Sequence, residues 1–216
     1  MNGRRVKEPR CRIQARTTRK LSRIPPEYEH LRLESVAPDV TRHPGQPVVW
    51  RAVRSRPESS YPICGGSGAG KTAVLWGPYH NAVERRRPAV AFFSLAELLE
   101  DYKRAKTARH EDGYAPELHP SELQTRSGRW FVGIDDFHIG RPSRFAGEMI
   151  YRLVDAAYTY RRQLVITSQI DRGGIERRWA EAGAGYGEAI LRRVLGPEGA
   201  GCLTLYEGYC LHGKSR

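Results

Sequence analysis

The chain has 216 residues, with 36 Lys and Arg against 24 Asp and Glu and a formal charge of +12. That length allows one α/β domain with a sizeable core and a small appendage, and the basic balance points to a polyanionic partner, most simply nucleic acid. The sequence has no apolar run long enough to span a bilayer and no signal-peptide core behind its basic N-terminus. Cys11, Cys64, Cys202 and Cys210 lack C-x-x-C spacing, which argues against a zinc site; the expectation is a soluble protein of the reducing cytoplasm.

Residues 1–24 carry Arg4, Arg5, Lys7, Arg10, Arg12, Arg16, Arg19, Lys20 and Arg23 against Glu8 alone. With no hydrophobic period, they read as a disordered or weakly helical basic arm. The folded domain is expected over 25–216, entered at Ile24-Pro25-Pro26-Glu27-Tyr28. A short helix over 46–54 precedes a first strand over 59–64. Pro62 is a blemish in that strand, since it has no N–H to give to a sheet ladder. Gly65-Gly66-Ser67-Gly68-Ala69-Gly70-Lys71-Thr72 follows and fits G-x-x-x-x-G-K-[ST], the phosphate-binding P-loop. Its glycines let main-chain N–H groups turn inward around a β-phosphate, and Lys71 reaches the β- and γ-phosphates. Thr72 presents its hydroxyl to Mg²⁺ at the positive end of the next helix, expected over 72–87.

A strand over 89–94 leads into a helix over 95–108 with Leu95, Leu98, Leu99 and Tyr102 on one face. Residues 109–128 hold Gly113, Pro116 and Pro120 and read as a loop around a short helix. Trp130-Phe131-Val132-Gly133-Ile134-Asp135-Asp136 is an apolar run ending in two carboxylates, the form of a Walker B strand. In that reading Asp135 holds Mg²⁺ and Asp136 orients or deprotonates the attacking water. A long amphipathic helix over 143–160, a buried strand over 163–167 and a short last strand over 203–206 complete the pattern. Alternating β and α elements imply an α/β P-loop NTPase fold with a mostly parallel sheet flanked by helices. Ligands of such folds bind at the carboxyl ends of the strands, where the P-loop and the acidic pair both fall. His110, His119 and His138 have no metal-ligand spacing and read as surface or loop histidines.

Taken together, these motifs resemble the AAA+ ATPases of the DnaC/IstB group, which comprises replicative helicase loaders and ATP-binding transposition helpers. The likeness covers roughly residues 24–208. It rests on the entry motif, the P-loop, Leu95-Ala96-Glu97-Leu98-Leu99, Ile134-Asp135-Asp136-Phe137, Tyr151-Arg152-Leu153-Val154-Asp155-Ala156-Ala157-Tyr158 and Leu164-Val165-Ile166-Thr167-Ser168-Gln169. The resemblance implies an ATP- and Mg²⁺-dependent ATPase with a short C-terminal lid. It implies DNA, single-stranded by preference, and a replicative helicase or a transposase as partners, with an ATP-dependent homo-oligomer as the working form.

The resemblance also implies further site residues. Gln169 falls at the sensor I position, where the group usually has Asn, and a polar side chain there helps place the water near the γ-phosphate. The segment from Gly187 to Leu195 resembles the late helix that bears an arginine finger; Arg193 is at the matching position, with Arg192 beside it. Lys103, Arg104 and Lys106 lie on a helix matching one that the group sets against single-stranded DNA. No sensor II arginine is visible. The leading expectation is a helicase loader, with a transposition helper as the alternative. A nucleotide-binding scaffold that does not hydrolyse stays open through the exchange at Gln169. A small-molecule kinase would need lid arginines and an acceptor pocket.

Overall fold

Five strands form one sheet in the order β2-β3-β4-β1-β5 in the computed structural model. They are β1 (Tyr61–Gly65), β2 (Ala89–Ser94), β3 (Trp130–Asp135), β4 (Gln163–Ser168) and β5 (Leu203–Leu205), and every pairing is parallel. The structure describes residues 25–29, 31–32, 46–55, 59–84, 89–108, 116, 118–125, 130–183, 185–195 and 203–205. The basic arm over 1–24, His110 and Gly113 lie outside them. The helices are α1 (Gln46–Ser55), α2 (Lys71–Glu84), α3 (Leu95–Thr107), α4 (Pro120–Thr125), α5 (Arg144–Thr159), α6 (Arg172–Ala180) and α7 (Tyr186–Leu195), with a 3₁₀ turn at Pro26–Tyr28. The mostly parallel α/β architecture expected from the sequence is the one observed.

Period-two alternation splits the strand residues between two cores. Tyr61, Ile63, Phe131 and Val165 pack with Val49, Trp50, Val74, Leu75 and Tyr79 of α1 and α2. Cys64, Val132, Ile134, Leu164 and Ile166 face α3 to α7, meeting Leu98, Ile150, Leu153, Trp179 and Leu191. Phe131 and Ile134 have no exposed surface, so truncating either to Ala costs about 2–5 kcal/mol. The sheet therefore needs both helical layers, and the ends of its strands stay fixed relative to one another.

Local chemistry sets the element boundaries. Ser94 and Glu97 form a capping box that starts α3: the Ser94 hydroxyl accepts from Glu97 N at 3.2 Å and Ser94 N donates to Glu97 Oε2 at 2.9 Å. Ser143 caps α5 by accepting from Ala146 N. Pro62 is tolerated in a central strand because pairing with β5 begins only at Ile63. The entry segment packs on α2: Tyr28 stacks on Trp76 at 6.1 Å, His80 Nε2 lies 3.1 Å from Tyr28 O, and Arg32 pairs with Glu84 at 2.5 Å.

Helix α6 is not foreseen in the sequence. Gly173 and Gly174 weaken its helical signal, but Asp171 caps it, accepting from Gly174 N at 2.6 Å, and Ile175 and Trp179 anchor it at i,i+4 spacing. Helix α7 lies close on it. A Cβ at Gly187 would come within 2.1 Å of Glu176 O, so only glycine permits that approach.

Candidate nucleotide site

Strand β1 ends in the P-loop, and α2 starts at Lys71. Gly68 (φ 76°) and Gly70 (φ 83°) adopt left-handed backbone, which glycine takes without steric cost. Lys71 is the first residue of α2 and only 6% exposed. Its ammonium donates to Gly66 O at 2.6 Å, across the concavity of its own loop. Burial pulls the Lys71 pKa down, and the charges of Asp136 and Asp135 push it back up. The result is a desolvated cation sustained by nearby carboxylate charges, which is the arrangement a phosphate would complete.

Asp135, the last residue of β3, ties three elements together. Its Oδ2 accepts from Thr72 Oγ1 at 3.0 Å, and its Oδ1 accepts from Thr167 Oγ1 in a short bond. The P-loop helix, the acidic strand and the end of β4 thus meet on one carboxylate. Burial raises the Asp135 pKa, the bonds from Thr167 and Thr72 lower it, and the neighbouring Asp136 raises it. A carboxylate whose charge is penalised by burial, set beside a threonine hydroxyl at the mouth of an anion loop, fits a hard divalent cation.

Asp136 follows with φ 53°, a left-handed conformation that costs a non-glycine residue about 1–3 kcal/mol. Hydrogen bonds hold it there. Asp136 N donates to Thr167 Oγ1 at 3.0 Å, and Phe137 N donates to Thr167 O at 2.8 Å. Thr167 therefore positions both carboxylates, a role for which the sequence reading had no signal beyond its place in Thr167-Ser168-Gln169.

Gln169 is exposed just past β4. Its N–H donates to His138 Nδ1 at 3.2 Å. His138 is indeed a loop histidine, but one beside the acidic pair. Burial lowers its pKa; the charges of Asp136 and Asp135 raise it, while those of Lys71 and Arg178 lower it. Arg178 of α6 reaches the same loop, donating to Gly140 O. His119, the other described histidine of the three, accepts Ser121 N at 3.2 Å and pairs with Ser121 Oγ at 2.6 Å at the start of α4.

Arg193 is arranged differently. Its Nε donates to Asp155 Oδ1 at 2.5 Å, Nη2 to the Tyr151 hydroxyl at 2.8 Å and Nη1 to Ala189 O at 3.2 Å, and the guanidinium lies 4.7 Å from the Tyr151 ring centroid. These partners are all on α5 and α7. Arg192 beside it is exposed. A groove lined by His119, Met149, Tyr151 and Asp155 shares two of these residues. Lys103, Arg104 and Lys106 are exposed along α3; Lys103 makes a loose pair with Glu100 at 3.7 Å, and Lys106 covers the Phe145 ring at 4.8 Å.

Neither a family model nor a curated protein matches the chain. Solved structures do. A DnaC helicase loader superposes with TM-score 0.59 at 16% identity, covering 84% of this chain and 99% of that one. DnaI gives TM-score 0.59 at 14% identity, over 87% of this chain and 96% of DnaI. A replication initiator DnaA bound to AMPPCP and single-stranded DNA gives 0.54 at 15% identity, over 84% of this chain and 50% of DnaA. The chain shares the fold of these structures, a parallel α/β sheet flanked by helices. The chain spans about half the length of the DnaA chains it matches and nearly all of the loader chains. In this fold the P-loop and the acidic pair stand at strand ends on either side of β4: β1 is next to β4 and β4 next to β3. No helix of the described residues is long and apolar enough to cross a membrane.

Proposed function

We propose that the chain is an ATP-dependent AAA+ ATPase that loads or remodels a DNA-bound machine, in the manner of a DnaC-like replicative helicase loader. The observation that carries this reading is the Asp135 carboxylate bonded to both Thr72 and Thr167, which joins the P-loop, the acidic pair and the β4 end into one site. The TM-scores of 0.59 with DnaC and DnaI, against 0.54 with DnaA, support the loader reading.

In this reading, the P-loop N–H groups from Gly65 to Gly70 and the Lys71 ammonium bind the phosphates. Thr72 and Asp135 hold Mg²⁺, which supplies charge shielding at the β- and γ-phosphates when bound. Asp136 takes the proton of the attacking water, and Gln169 orients that water. Arg193 acts across a subunit boundary in an ATP-dependent homo-oligomer, where such a residue is worth about 10³–10⁵ in rate. In that assembly Arg193 exchanges its Asp155 partner for the neighbouring nucleotide. Lys103, Arg104 and Lys106 follow the phosphates of single-stranded DNA, and successive subunits align them into one track.

The test is phosphate release with and without single-stranded DNA, together with anisotropy of labelled single and double strands over a salt series. Turnover stimulated by DNA, and affinity falling steeply with salt as counterions are released, are the expected results. Recovery of a transposase instead of a helicase in a pull-down from the native host would move the assignment to a transposition helper. Saturable ATP binding without turnover under any of these conditions would make the chain a nucleotide-binding scaffold.

A further inference from the structure

The loop after the acidic pair is tethered on two sides, and its histidine is built into the tether. Asp136 to Ile139 form a tight turn closed by Ile139 N donating to Asp136 O at 2.8 Å. Phe137, inside that turn, is fully buried and packs on Trp179 of α6 at 5.4 Å. Phe137 N bonds Thr167 O, and Arg178 of α6 holds Gly140 O. Between these two anchors the imidazole of His138 turns back to β4, where its Nδ1 accepts the main-chain N–H of Gln169 at 3.2 Å. The tautomer follows from the bond: an Nδ1 that accepts leaves the ring proton on Nε2.

Gln169 has no comparable anchor of its own. Its side chain is exposed, it lies one residue past the last paired strand position, and in the residues after it Ile170 N turns back to the Ser168 hydroxyl. The His138 bond is thus what fixes the Gln169 main chain to the acidic turn. The charges that act on His138 are those of Lys71, Asp135, Asp136 and Arg178, so the imidazole lies within the field of the candidate site's own charged groups.

We propose that His138 is a positioning residue of this site: its Nδ1 holds the main chain of Gln169, and through it the Gln169 side chain, at a fixed place relative to Lys71 and the two carboxylates. The proposal rests on the ATPase reading given above. It concerns hydrolysis and not nucleotide affinity, because His138 reaches Gln169 and makes no bond to the P-loop. The side-chain oxygen of Asn stands where Nδ1 stands in His, so His138→Asn keeps the acceptor, and His138→Ala and His138→Leu remove it.

The experiment measures kcat, ATP-analogue affinity and exchange of the Gln169 amide hydrogen in the full chain and these variants. Loss of one positioning hydrogen bond lowers kcat roughly tenfold. His138→Ala and His138→Leu should show that loss with affinity unchanged and a faster-exchanging Gln169 amide, and His138→Asn should recover most of both. Gln169→Ala should lower kcat similarly, and adding His138→Ala to it should cost little more, since both act through one element. Wild-type turnover in His138→Ala, equal losses in Asn and Ala, or losses that multiply in the double variant would overturn the proposal. A wild-type chain that binds ATP and never hydrolyses it would instead overturn the ATPase reading; amide exchange would still decide whether His138 holds Gln169, and an amide indifferent to His138→Ala would overturn that as well.

Discussion

Two cations illustrate how the same charge is put to different use in this molecule. Lys71 is buried, donates to a carbonyl of its own loop and draws its electrostatic support from the charges of Asp135 and Asp136. Arg193 has an ion pair, a hydroxyl, a carbonyl and an aromatic face. The first pays a desolvation cost that a phosphate ligand would relieve; the second already holds α7 to α5. A free energy left unsatisfied in the chain is available to a ligand, and one satisfied inside the chain must be exchanged before it can act elsewhere.

The largest effect on nucleotide binding belongs to Lys71→Ala. Removing the charge-assisted bonds to phosphate should weaken ATP binding by roughly a hundredfold or more while the domain stays folded, measured by titration with a labelled ATP analogue beside circular dichroism. Unchanged affinity in a folded variant would break the comparison at its first term.

Asp136→Asn comes next. The variant should still bind Mg-ATP, with turnover down by about 10²–10⁴ through loss of the general base. Asp135→Asn should instead weaken the Mg²⁺-dependent part of binding. Wild-type turnover in both would show that the acidic pair is only a strand end.

Arg193→Ala sharpens the second term. As an interhelical staple of moderate exposure, Arg193 should contribute about 1–2 kcal/mol, so the melting point should fall by a few degrees, and Asp155→Asn should reproduce part of that fall. As an arginine finger, Arg193→Ala should also abolish assembly-dependent turnover without changing the nucleotide affinity of the monomer. Mixing it with Lys71→Ala protein should then restore partial activity at interfaces that pair an intact P-loop with an intact arginine. No restoration in proven mixed assemblies would leave Arg193 a staple.

The smallest effect is a difference in thermal stability with the opposite sign. The Asp135 carboxyl is raised by burial. A group with a raised folded pKa binds its proton more tightly in the folded chain, so its contribution favours the fold below the unfolded value and is lost as pH rises through the folded value. At neutral pH the ionised Asp135 therefore counts against the nucleotide-free fold. Asp135→Asn should leave its melting point unchanged or higher at neutral pH, with the gap to wild type narrowing as pH is lowered. A large destabilisation by Asp135→Asn at neutral pH would place Asp135 with Arg193, as a structural group.

Most of the fold was legible because its signals are local. Apolar runs bounded by turns gave β2, β3 and β4 nearly to their ends, and the P-loop and acidic pair were visible because glycine, lysine and carboxylate spacing is itself the chemistry. Helix α6 was not legible, since its glycines hide the helical period and its stability comes from the Asp171 cap and from Trp179 against Phe137. Thr167 and His138 escaped for a related reason. Their roles depend on the parallel register that sets the end of β4 beside the end of β3, which no local pattern encodes. The partners of Arg193 on α5 lie 38 and 42 residues away in sequence, so a resemblance can suggest a trans-acting arginine while only the fold shows what holds it in the free chain.

The most direct measurement is titration of the wild-type chain with a fluorescent ATP analogue, with Mg²⁺ and with EDTA, followed by competition with unlabelled ATP. Saturable binding that is displaced by ATP and strengthened by Mg²⁺ is the expected result. Folded protein that shows no saturable, ATP-displaceable binding would contradict the claim that Lys71, Thr72 and Asp135 form a nucleotide site.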